Sequence, residues 1–207
     1  MESWNDPRLT KQMAFLVEAD KLKNVLRRTL LTDGSRRENS AEHSWHIGLL
    51  ALTLHEYAAE PKPDLGHAIR LLLVHDLVEI DAGDTFAYDE QGYSDKEERE
   101  KAAARRIFGL LPDDQTDSYL ALWREFEEGR TPEALFANAV DRLHPLLNNF
   151  ATEGYSWKQN GVLRSQVRAR MQPIRDAAPK LAAFVDELLQ RAVDRGFLAD
   201  RPQPEGG

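Results

Sequence analysis

The sequence contains no cysteine, no long apolar run and no cluster of basic residues. Without cysteine, the chain can form neither a disulfide framework nor a thiolate metal site, and it has no thiol nucleophile. Its apolar runs are shorter than the about 18 residues that a membrane-spanning helix needs. The polar start, MESWNDPRLTKQ, is unlike a secretory signal. A net charge of −8 argues against binding to nucleic-acid phosphates. We therefore expect a cytoplasmic protein with neither a nucleic-acid nor a membrane partner.

Strand patterns are also scarce, because short β-branched runs are lacking and apolar residues recur at spacings of three and four along most of the chain. Asn39 and Glu42 have the spacing of a capping box that opens a helix. The predicted helices cover residues 9–31, 40–59, most of 71–84, 95–111, 113–128, 132–153, 157–171 and 178–197. A loop is predicted at 81–95. The sequence thus predicts an all-α fold, with one helical domain over residues 1–200 and a disordered tail at 201–207.

The stretch LLLVHDLVEIDAGD, residues 71–84, places ionisable groups inside an apolar helix. Its leucine, valine and isoleucine side chains point all round the helix, which is typical of a buried element. His75, Asp76 and Glu79 interrupt this pattern. A buried carboxylate is costly unless a partner neutralises it. A bound cation would convert that cost into folding free energy.

Two further ionisable residues on predicted helices, His43 and Asp141, complete a candidate metal site. Together with His75 and Asp76 they provide two imidazoles and two carboxylates, which suits a divalent metal with one or two open positions. The alternative is that core histidines simply form hydrogen bonds and that Asp141 pairs with Arg142 at the surface. Spacing alone leaves both interpretations open.

Five segments carry a resemblance to a known family, and they lie within about residues 15–150. They are LKNVLRRTLL, RRENSAEHSWHIGLLALTL, LLLVHDLVEIDAGD, KEEREKAAARRIF and LWREFEEGRTPEALFANAVDRLHPLLNNF. The string HDxxExxxGD, with ENxAEHS upstream, is the most specific of these features. The chain resembles the HD-domain metal-dependent phosphohydrolases, and within them the small branch that includes the 5′-deoxynucleotidases. This resemblance implies a helical bundle of the HD-domain type, although the C-terminal third carries little of it.

The resemblance also implies a role for each of seven residues. The implied metal ligands are His43, His75, Asp76 and Asp141, the implied catalytic acids are Glu79 and Asp84, and the implied phosphate-binding residue is Arg28. Whether Glu79 and Asp84 act on the nucleophilic water or help to hold a weak second metal stays open. Thr29 stands where bacterial deoxynucleotidases have a tryptophan that helps to select deoxyribose, so a preference for deoxyribonucleotides is not implied. The absence of histidine between His75 and His144 argues against a histidine-rich second metal.

These features predict a metal-dependent phosphomonoesterase that removes the 5′-phosphate from (deoxy)ribonucleoside monophosphates by means of a metal-activated water. The cofactor would be one divalent cation, either a transition metal (Mn, Co, Fe, Ni or Zn) or Mg. The alternatives are hydrolysis of another small phosphate ester or of a nucleoside polyphosphate, and a non-catalytic HD-fold module that senses a ligand. By analogy with helical proteins of this size we expect a homodimer, with the helix at 178–197 as an interface.

The remaining conspicuous residues are predicted to have structural roles. His46 and His144 are assigned to packing or hydrogen bonds, and His55 and His67 to the surface near a loop. Arg27, next to the expected phosphate-binding residue, is assigned to a solvated surface charge. The core or subunit contacts are predicted to include Trp45, Trp123 and Trp157.

Overall fold

In the computed structural model, residues 5–89 and 94–201 are described, and most of them are helical. The helices are α1 (Pro7–Ala19), α2 (Ser40–Leu54), α3 (Leu65–Val74), α4 (Glu79–Ala82), α5 (Lys96–Phe108), α6 (Asp113–Glu128), α7 (Pro132–Ala151), α8 (Tyr155–Gln159), α9 (Arg164–Arg170), α10 (Gln172–Ala177) and α11 (Pro179–Asp194). Short 3-10 segments lie at Asp20–Asn24, His55–Tyr57 and His75–Val78. The predicted all-helical class is confirmed. Residues 90–93 of the predicted loop and 202–207 of the predicted tail lie outside the described residues.

Local capping explains where the longer helices begin and end. The predicted capping box of α2 is present, because the amide of Glu42 donates to Oδ1 of Asn39 over 2.9 Å and the amide of Asn39 donates to Oε2 of Glu42 over 3.2 Å. Thr131 caps α7 through its hydroxyl, which accepts from the amide of Ala134, and a proline lies in the first turn. Gly129 ends α6 in the left-handed conformation that glycine adopts at low cost.

The prediction of an uninterrupted helix through residue 31, without strands, is wrong. After α1 the chain makes a 3-10 turn and then forms β1 (Leu26–Leu30), which pairs with β2 (Arg37–Asn39) in a two-stranded antiparallel sheet. Gly34, at a φ of 73°, lies in the turn between the strands. The apolar residues at spacings of three and four in this segment therefore coincide with helical periodicity, whereas pairing with the next strand of the chain decides the structure.

The sheet contains a bulge opposite Glu38. Its paired positions are Leu26 with Asn39 and Leu30 with Arg37. Residues 27–29 of β1 thus stand opposite the single residue Glu38, and their carbonyl groups leave the regular ladder. The Arg37 side chain accounts for two carbonyls, since Nε donates to the carbonyl of Arg27 over 2.5 Å and a terminal nitrogen donates to that of Leu26 over 2.9 Å.

The core is organised around α7, the longest helix of the described chain. The first half of α7 contributes Phe136 and Val140 to an apolar cluster with α2, α3 and α6. Its second half contributes Leu143 and Leu146 to a cluster with α8, α9, α10 and α11. A third cluster joins α1, α5 and α6. Asp141 lies between the two halves of α7, which places it near the centre of the molecule.

The helix predicted as a subunit interface, α11, packs its apolar face against other helices of its own chain. The inward residues of α11 include Leu181, Val185 and Leu189, and all three are buried in the cluster with α7. The amphipathic pattern of α11 is thereby explained without a second subunit, and the homodimer stays a prediction. Trp45 is 67% exposed, so it is not a core residue and its role as a subunit contact stays a prediction, whereas Trp123 and Trp157 are buried in the core.

The apolar stretch that carries the HD dipeptide is a broken helix. It comprises α3, the 3-10 segment at His75–Val78, and the single turn of α4. Gly83 follows at a φ of 75° and ends the segment, as predicted. The tighter 3-10 turn lies where the ionisable residues occur, which is a common position for such an interruption. None of the helices among residues 5–89 and 94–201 is both long and apolar enough to cross a membrane.

Candidate metal centre

The four predicted metal ligands come together in the interior. Nε2 of His43 lies 2.9 Å from Oδ1 of Asp141 and 3.8 Å from Oδ2 of Asp76. Nε2 of His75 lies 2.9 Å from Oδ1 of Asp76 and 3.7 Å from Oδ1 of Asp141. The four residues come from α2, the 3-10 segment after α3, and α7. The structure thus brings together all four residues that the sequence grouped.

His75 provides a test of whether a cation fits this site. Its Nδ1 lies 2.8 Å from the carbonyl oxygen of Leu72, so the neutral ring carries its proton on Nδ1 and has a free lone pair on Nε2. Although burial opposes protonation, the charge of Asp76 raises the pKa of His75, so a cation would displace a proton from Nε2 at neutral pH. Within the described chain, Nε2 is a buried atom without a hydrogen bond, although an Asp76 oxygen lies nearby. A buried unpaired acceptor that faces two carboxylates and a second imidazole has the chemistry of a divalent metal ligand.

The carboxylates of the site are held in their charged form. Burial alone would raise the pKa of Asp76, but His75 and Arg27 lower it to about 2. Burial likewise opposes ionisation of Asp141, yet the hydrogen bond from His43, reinforced by the nearby imidazole of His75, holds its pKa well below the usual range. Since metals bind deprotonated carboxylates, both residues are prepared for a cation at neutral pH.

The two predicted catalytic acids lie beside these ligands. Glu79 is buried, and its Oε2 accepts a hydrogen bond of 2.6 Å from the Ser40 hydroxyl. Burial, reinforced by the charge of Asp76, raises the pKa of Glu79 well above its usual value. Asp84 follows the turn at Gly83 and lines the same cleft. A carboxyl group with a raised pKa suits proton transfer near neutral pH.

Arg27 is not the solvated surface charge that the sequence predicted. A terminal nitrogen of its guanidinium donates to Oδ2 of Asp76 over 3.0 Å and lies 4.0 Å from Glu79 and 3.9 Å from Asp84. Burial alone would lower the pKa of Arg27, but these carboxylates raise it above that of a free arginine. Alternation along β1 places this side chain on the same face as the buried Thr29. Arg27 therefore already supplies positive charge where a weak second metal was considered.

Arg28 and Arg170 supply positive charge that has no acidic partner. Arg28 is exposed and Arg170 is half-buried, and both line the cleft that contains the candidate metal ligands. Neither side chain forms an ion pair or a hydrogen bond with another residue in the described part of the chain. Thr29 is buried and directs its hydroxyl towards Glu38 at 3.4 Å. Two unpaired guanidinium groups in one cleft of an acidic protein favour an anionic ligand.

A chain of imidazoles extends from the site on the side away from this cleft. Nδ1 of His43 lies 2.8 Å from Nδ1 of His144, and Nε2 of His144 lies 2.8 Å from Nδ1 of His46. The prediction of hydrogen-bonded, structural roles for His46 and His144 is thus confirmed. His55 and His67 are only partly buried and bond to Pro63 and Glu125, away from the site.

Sequence reasoning missed the contributions of Arg27, Glu38 and Arg170. Arg27 was assigned to the surface because its segment was read as a helix, in which its neighbour has the expected spacing from His43. Glu38 is buried at 2% exposure within β2, and no apolar pattern around it indicates burial. Arg170 lies where the chain carries little family resemblance. A strand-type reading of residues 26–30 could have placed Arg27 on one face with the buried Thr29.

The fold and these residues define a helical domain with a site suited to a divalent metal. A family profile described as HD domain matches residues 19–182, and the chain belongs to this family. It is 54% identical to a chain from Magnetospirillum magnetotacticum MS-1 described as a predicted metal-dependent phosphohydrolase. That alignment covers 96% of this chain and 100% of the other, with a TM-score of 0.91. An HD-domain phosphohydrolase from Listeria innocua, 15% identical, covers 88% of each chain with a TM-score of 0.60 and supports the fold alone.

Curated relatives named 5′-deoxynucleotidase HDDC2 are more distant. The human protein is 28% identical over 174 residues, which cover 81% of this chain and 79% of the relative. The zebrafish (Danio rerio) protein is 31% identical over 110 residues, which cover 53% of each chain. The chain thus spans about half the length of the first curated relatives that it matches.

Proposed function

We propose that the protein is a divalent-metal-dependent phosphohydrolase that removes the 5′-phosphate from nucleoside monophosphates. The observation that carries this proposal is the convergence of two imidazoles and two carboxylates around the unpaired Nε2 of His75. The names of the relatives support the same class of chemistry. We assign the metal to His43, His75, Asp76 and Asp141.

The chemistry of the cleft divides among a small set of residues. A divalent cation bound there would polarise a phosphoryl oxygen and acidify a water molecule. Glu79 accepts the proton of the attacking water, a role that suits its raised pKa. Asp84 orients the water or protonates the leaving 5′ oxygen. The bond from phosphorus to that oxygen breaks as the water oxygen bonds to phosphorus, which yields a nucleoside and inorganic phosphate.

The two arginines of β1 have different tasks in this proposal. Arg27 neutralises the carboxylates and keeps Asp76 in position, because it is already bonded to that residue. Arg28 is unpaired and directs its charge into the cleft, so it binds the substrate phosphate. This division agrees with the sequence-based assignment of phosphate binding to Arg28.

The cleft continues along α7 beyond the metal ligands. Asp141, Pro145 and Asn149 all line it, and their spacing of four residues places them on one face of the helix. Eight residues of α-helix rise about 12 Å, so the cleft accommodates a group attached to the phosphate. Phe86 and Met171 supply apolar surface, and Arg170 supplies hydrogen-bond donors. We assign this distal part to the nucleoside.

Arg170 also favours a second candidate activity, hydrolysis of a nucleoside polyphosphate. A second unpaired guanidinium could bind a second phosphate as well as a base. The products distinguish the two activities, because a monoesterase releases only inorganic phosphate, whereas a polyphosphate hydrolase releases pyrophosphate or triphosphate.

The test combines a substrate panel with a variant of Glu79. Purified protein with Mn²⁺, Co²⁺ or Mg²⁺ is expected to release phosphate from ribo- or deoxyribonucleoside 5′-monophosphates. Glu79→Gln should lower kcat by at least about 100-fold while the metal content, measured by elemental analysis, stays unchanged. Glu97→Gln, at an exposed glutamate of α5, is the matched control and should keep full activity.

Two results would contradict the proposal. If the wild-type protein hydrolyses no phosphomonoester with any of the metals, the ligand-sensing module becomes the better explanation of the site. If Glu79→Gln retains turnover, the proton passes through another group, and the assignment of Glu79 fails.

A further inference from the structure

The imidazoles of His43, His144 and His46 form a hydrogen-bonded chain from the candidate metal centre to the protein surface. We propose that this chain controls which ring nitrogen of His43 carries the proton, and thereby frees Nε2 of His43 to bind a divalent cation. His144 and His46 would then be positioning residues for the metal. This inference rests on the metal-binding role proposed above for His43, and it does not depend on the identity of the substrate.

The geometry of the chain is close and continuous. The two nitrogen-to-nitrogen distances are both 2.8 Å, and the ring centroids are 5.0 Å apart for His43 and His144 and 4.3 Å apart for His144 and His46. His43 and His144 are completely buried. His46 is only partly buried and follows the exposed Trp45. The chain therefore begins at the candidate metal site and ends where water can reach the last ring.

Each ring of the chain carries a single proton. Two N–H groups cannot face each other across 2.8 Å, so each of the two contacts holds one proton. Glu38, the carboxylate beside His144, lies 3.6 Å from its Nε2, too far to stabilise a charged ring by a hydrogen bond. A neutral imidazole has one donor nitrogen and one acceptor nitrogen. Three neutral rings in a row can consequently be arranged in only two ways, with all hydrogen bonds pointing outward or all pointing inward.

In the outward arrangement, Nδ1–H of His43 donates to Nδ1 of His144, and Nε2–H of His144 donates to Nδ1 of His46. Nε2 of His43 is then without a proton and is free to bind a metal. In the inward arrangement every bond is reversed, and Nε2–H of His43 donates to Oδ1 of Asp141, 2.9 Å away. Only the outward arrangement is compatible with a cation on Nε2.

The change between the two arrangements leaves the charge of all three rings unchanged. On going from the inward to the outward arrangement, one proton leaves Nε2 of His43 on the cleft side. One proton moves from His144 to Nδ1 of His43, and one moves from His46 to Nε2 of His144. The proton lost by His46 at Nδ1 is replaced from water at its Nε2. No buried ring gains or loses net charge, so the change between the two arrangements has no desolvation cost.

The second metal histidine is fixed in a different way. Nδ1 of His75 faces the carbonyl of Leu72, and a carbonyl only accepts hydrogen bonds. The neutral ring of His75 therefore has only one tautomer available, with the proton on Nδ1 and a free Nε2. His43 faces another imidazole, which can donate or accept, so its state depends on the two rings beyond it.

Glu38 lies beside the chain without being part of it. Its oxygens are 3.9 Å from Nδ1 of His43 and 3.6 Å from Nε2 of His144, beyond the usual hydrogen-bond range of about 2.7–3.2 Å. These three residues could also be read as a metal cluster. However, two nitrogens that bind the same zinc ion at about 2.0 Å with tetrahedral angles lie more than 2.8 Å apart. The observed distance of 2.8 Å between Nδ1 of His43 and Nδ1 of His144 therefore favours a hydrogen bond.

The first test compares two replacements of His144. In His144→Gln, the amide can accept from His43 and donate to His46, so the outward arrangement is retained. In His144→Met, similar volume is kept without these hydrogen bonds. We expect the apparent Kd for Zn²⁺, measured by competition with a chelator, to rise about 10- to 100-fold in His144→Met and to stay near the wild-type value in His144→Gln. His67→Met, at a histidine bonded to Glu125 on the surface, is the matched control and should leave the Kd unchanged.

The second test needs no variant. ¹⁵N NMR of the histidine side chains in wild-type protein should show His144 and His46 protonated on Nδ1 without metal and on Nε2 after addition of Zn²⁺. The same protonated nitrogens with and without Zn²⁺, or a His144→Met variant that binds Zn²⁺ as tightly as the wild type, would overturn the inference. Absence of phosphatase activity would contradict the proposed function but would leave both readouts intact.

Discussion

Arg27 and Arg28 are neighbours in the sequence but have different surroundings. Arg27 donates a hydrogen bond to Asp76 and lies 4.0 Å from Glu79 and 3.9 Å from Asp84. Arg28 is exposed to the cleft and unpaired within the described chain. Strand alternation accounts for this difference, because neighbours on a strand point to opposite faces and Arg27 shares the more buried face with Thr29.

The two arginines should therefore respond differently to replacement by alanine. Arg27→Ala leaves buried carboxylates without their counter-charge, and we expect a loss of about 3–5 kcal/mol in the free energy of unfolding. Arg28→Ala should change this free energy little and should raise KM for a phosphate ester. Urea denaturation of metal-free protein and steady-state kinetics measure the two effects. A destabilised Arg28→Ala, or an Arg27→Ala as stable as the wild type, would exclude this division.

At the scale of elements, the hairpin of β1 and β2 is the part of the fold that positions the site. Arg37 bonds to the carbonyls of Leu26 and Arg27, the two residues at the start of the bulge. A carbonyl without a partner would cost free energy, so the Arg37 side chain stabilises the bulge. Arg37 thus acts on the site through Arg27 rather than by contact with it.

This arrangement predicts the effect of removing the Arg37 side chain. Arg37→Ala should lower the free energy of unfolding by about 1–3 kcal/mol and should also raise the apparent Kd for a divalent metal, because Arg27 no longer holds Asp76 in place. The adjacent Arg36→Ala removes an exposed ion pair with Glu42 and a hydrogen bond to the carbonyl of Arg37, and it should lower the free energy of unfolding less than Arg37→Ala does. Equal effects of the two variants on metal binding would show that the bulge does not depend on Arg37.

The sequence predicted the helices better than the hairpin for a physical reason. Capping at Asn39 and the end of the broken helix at Gly83 depend on residues a few positions apart, and both are present as predicted. The pairing of β1 with β2, its bulge, and the inward orientation of Arg27 depend on contacts with α7, α8 and the HD segment. Local patterns do not specify contacts of that kind.

At the scale of the whole molecule, charge is distributed unevenly. The protein carries a net charge of −8, yet its cleft contains the unpaired Arg28 and Arg170 beside a cluster of buried carboxylates. Glu100 also lines this cleft, and burial raises its pKa. The homodimer and the cytoplasmic location stay predictions.

The raised pKa of Glu100 makes part of the stability depend on pH. Because burial raises the pKa in the folded state above the usual 4.5, the folded protein binds this proton more tightly than the unfolded chain does. The contribution is present below pH 4.5 and is lost as the pH rises through the higher folded pKa. Glu100→Gln has no carboxyl group at this position and therefore does not lose this stability as the pH rises. The Tm of the variant minus the Tm of the wild type should consequently increase from acidic to neutral pH.

Glu97 on the same helix provides the control for this measurement. It is fully exposed, and its hydrogen bond with Lys101 lowers its pKa, so Glu97→Gln should show no such increase and should shift slightly in the opposite sense. Thermal unfolding between acidic and neutral pH, in the presence of a chelator, measures both variants. A constant Tm difference for Glu100→Gln would mean that the carboxyl group is not desolvated in the folded protein.

The sequence by itself determined the helical class, the long helices with their caps, and the four residues that make up the candidate metal site. These follow from periodicity, capping and the resemblance of an ordered string of residues, all of which are local. The tertiary structure decided that Arg27 enters the interior, that Arg170 joins the cleft, and that His43 meets His144, 101 positions away. Such contacts depend on how distant elements pack, and the free energy of packing cannot be read from spacing along one segment.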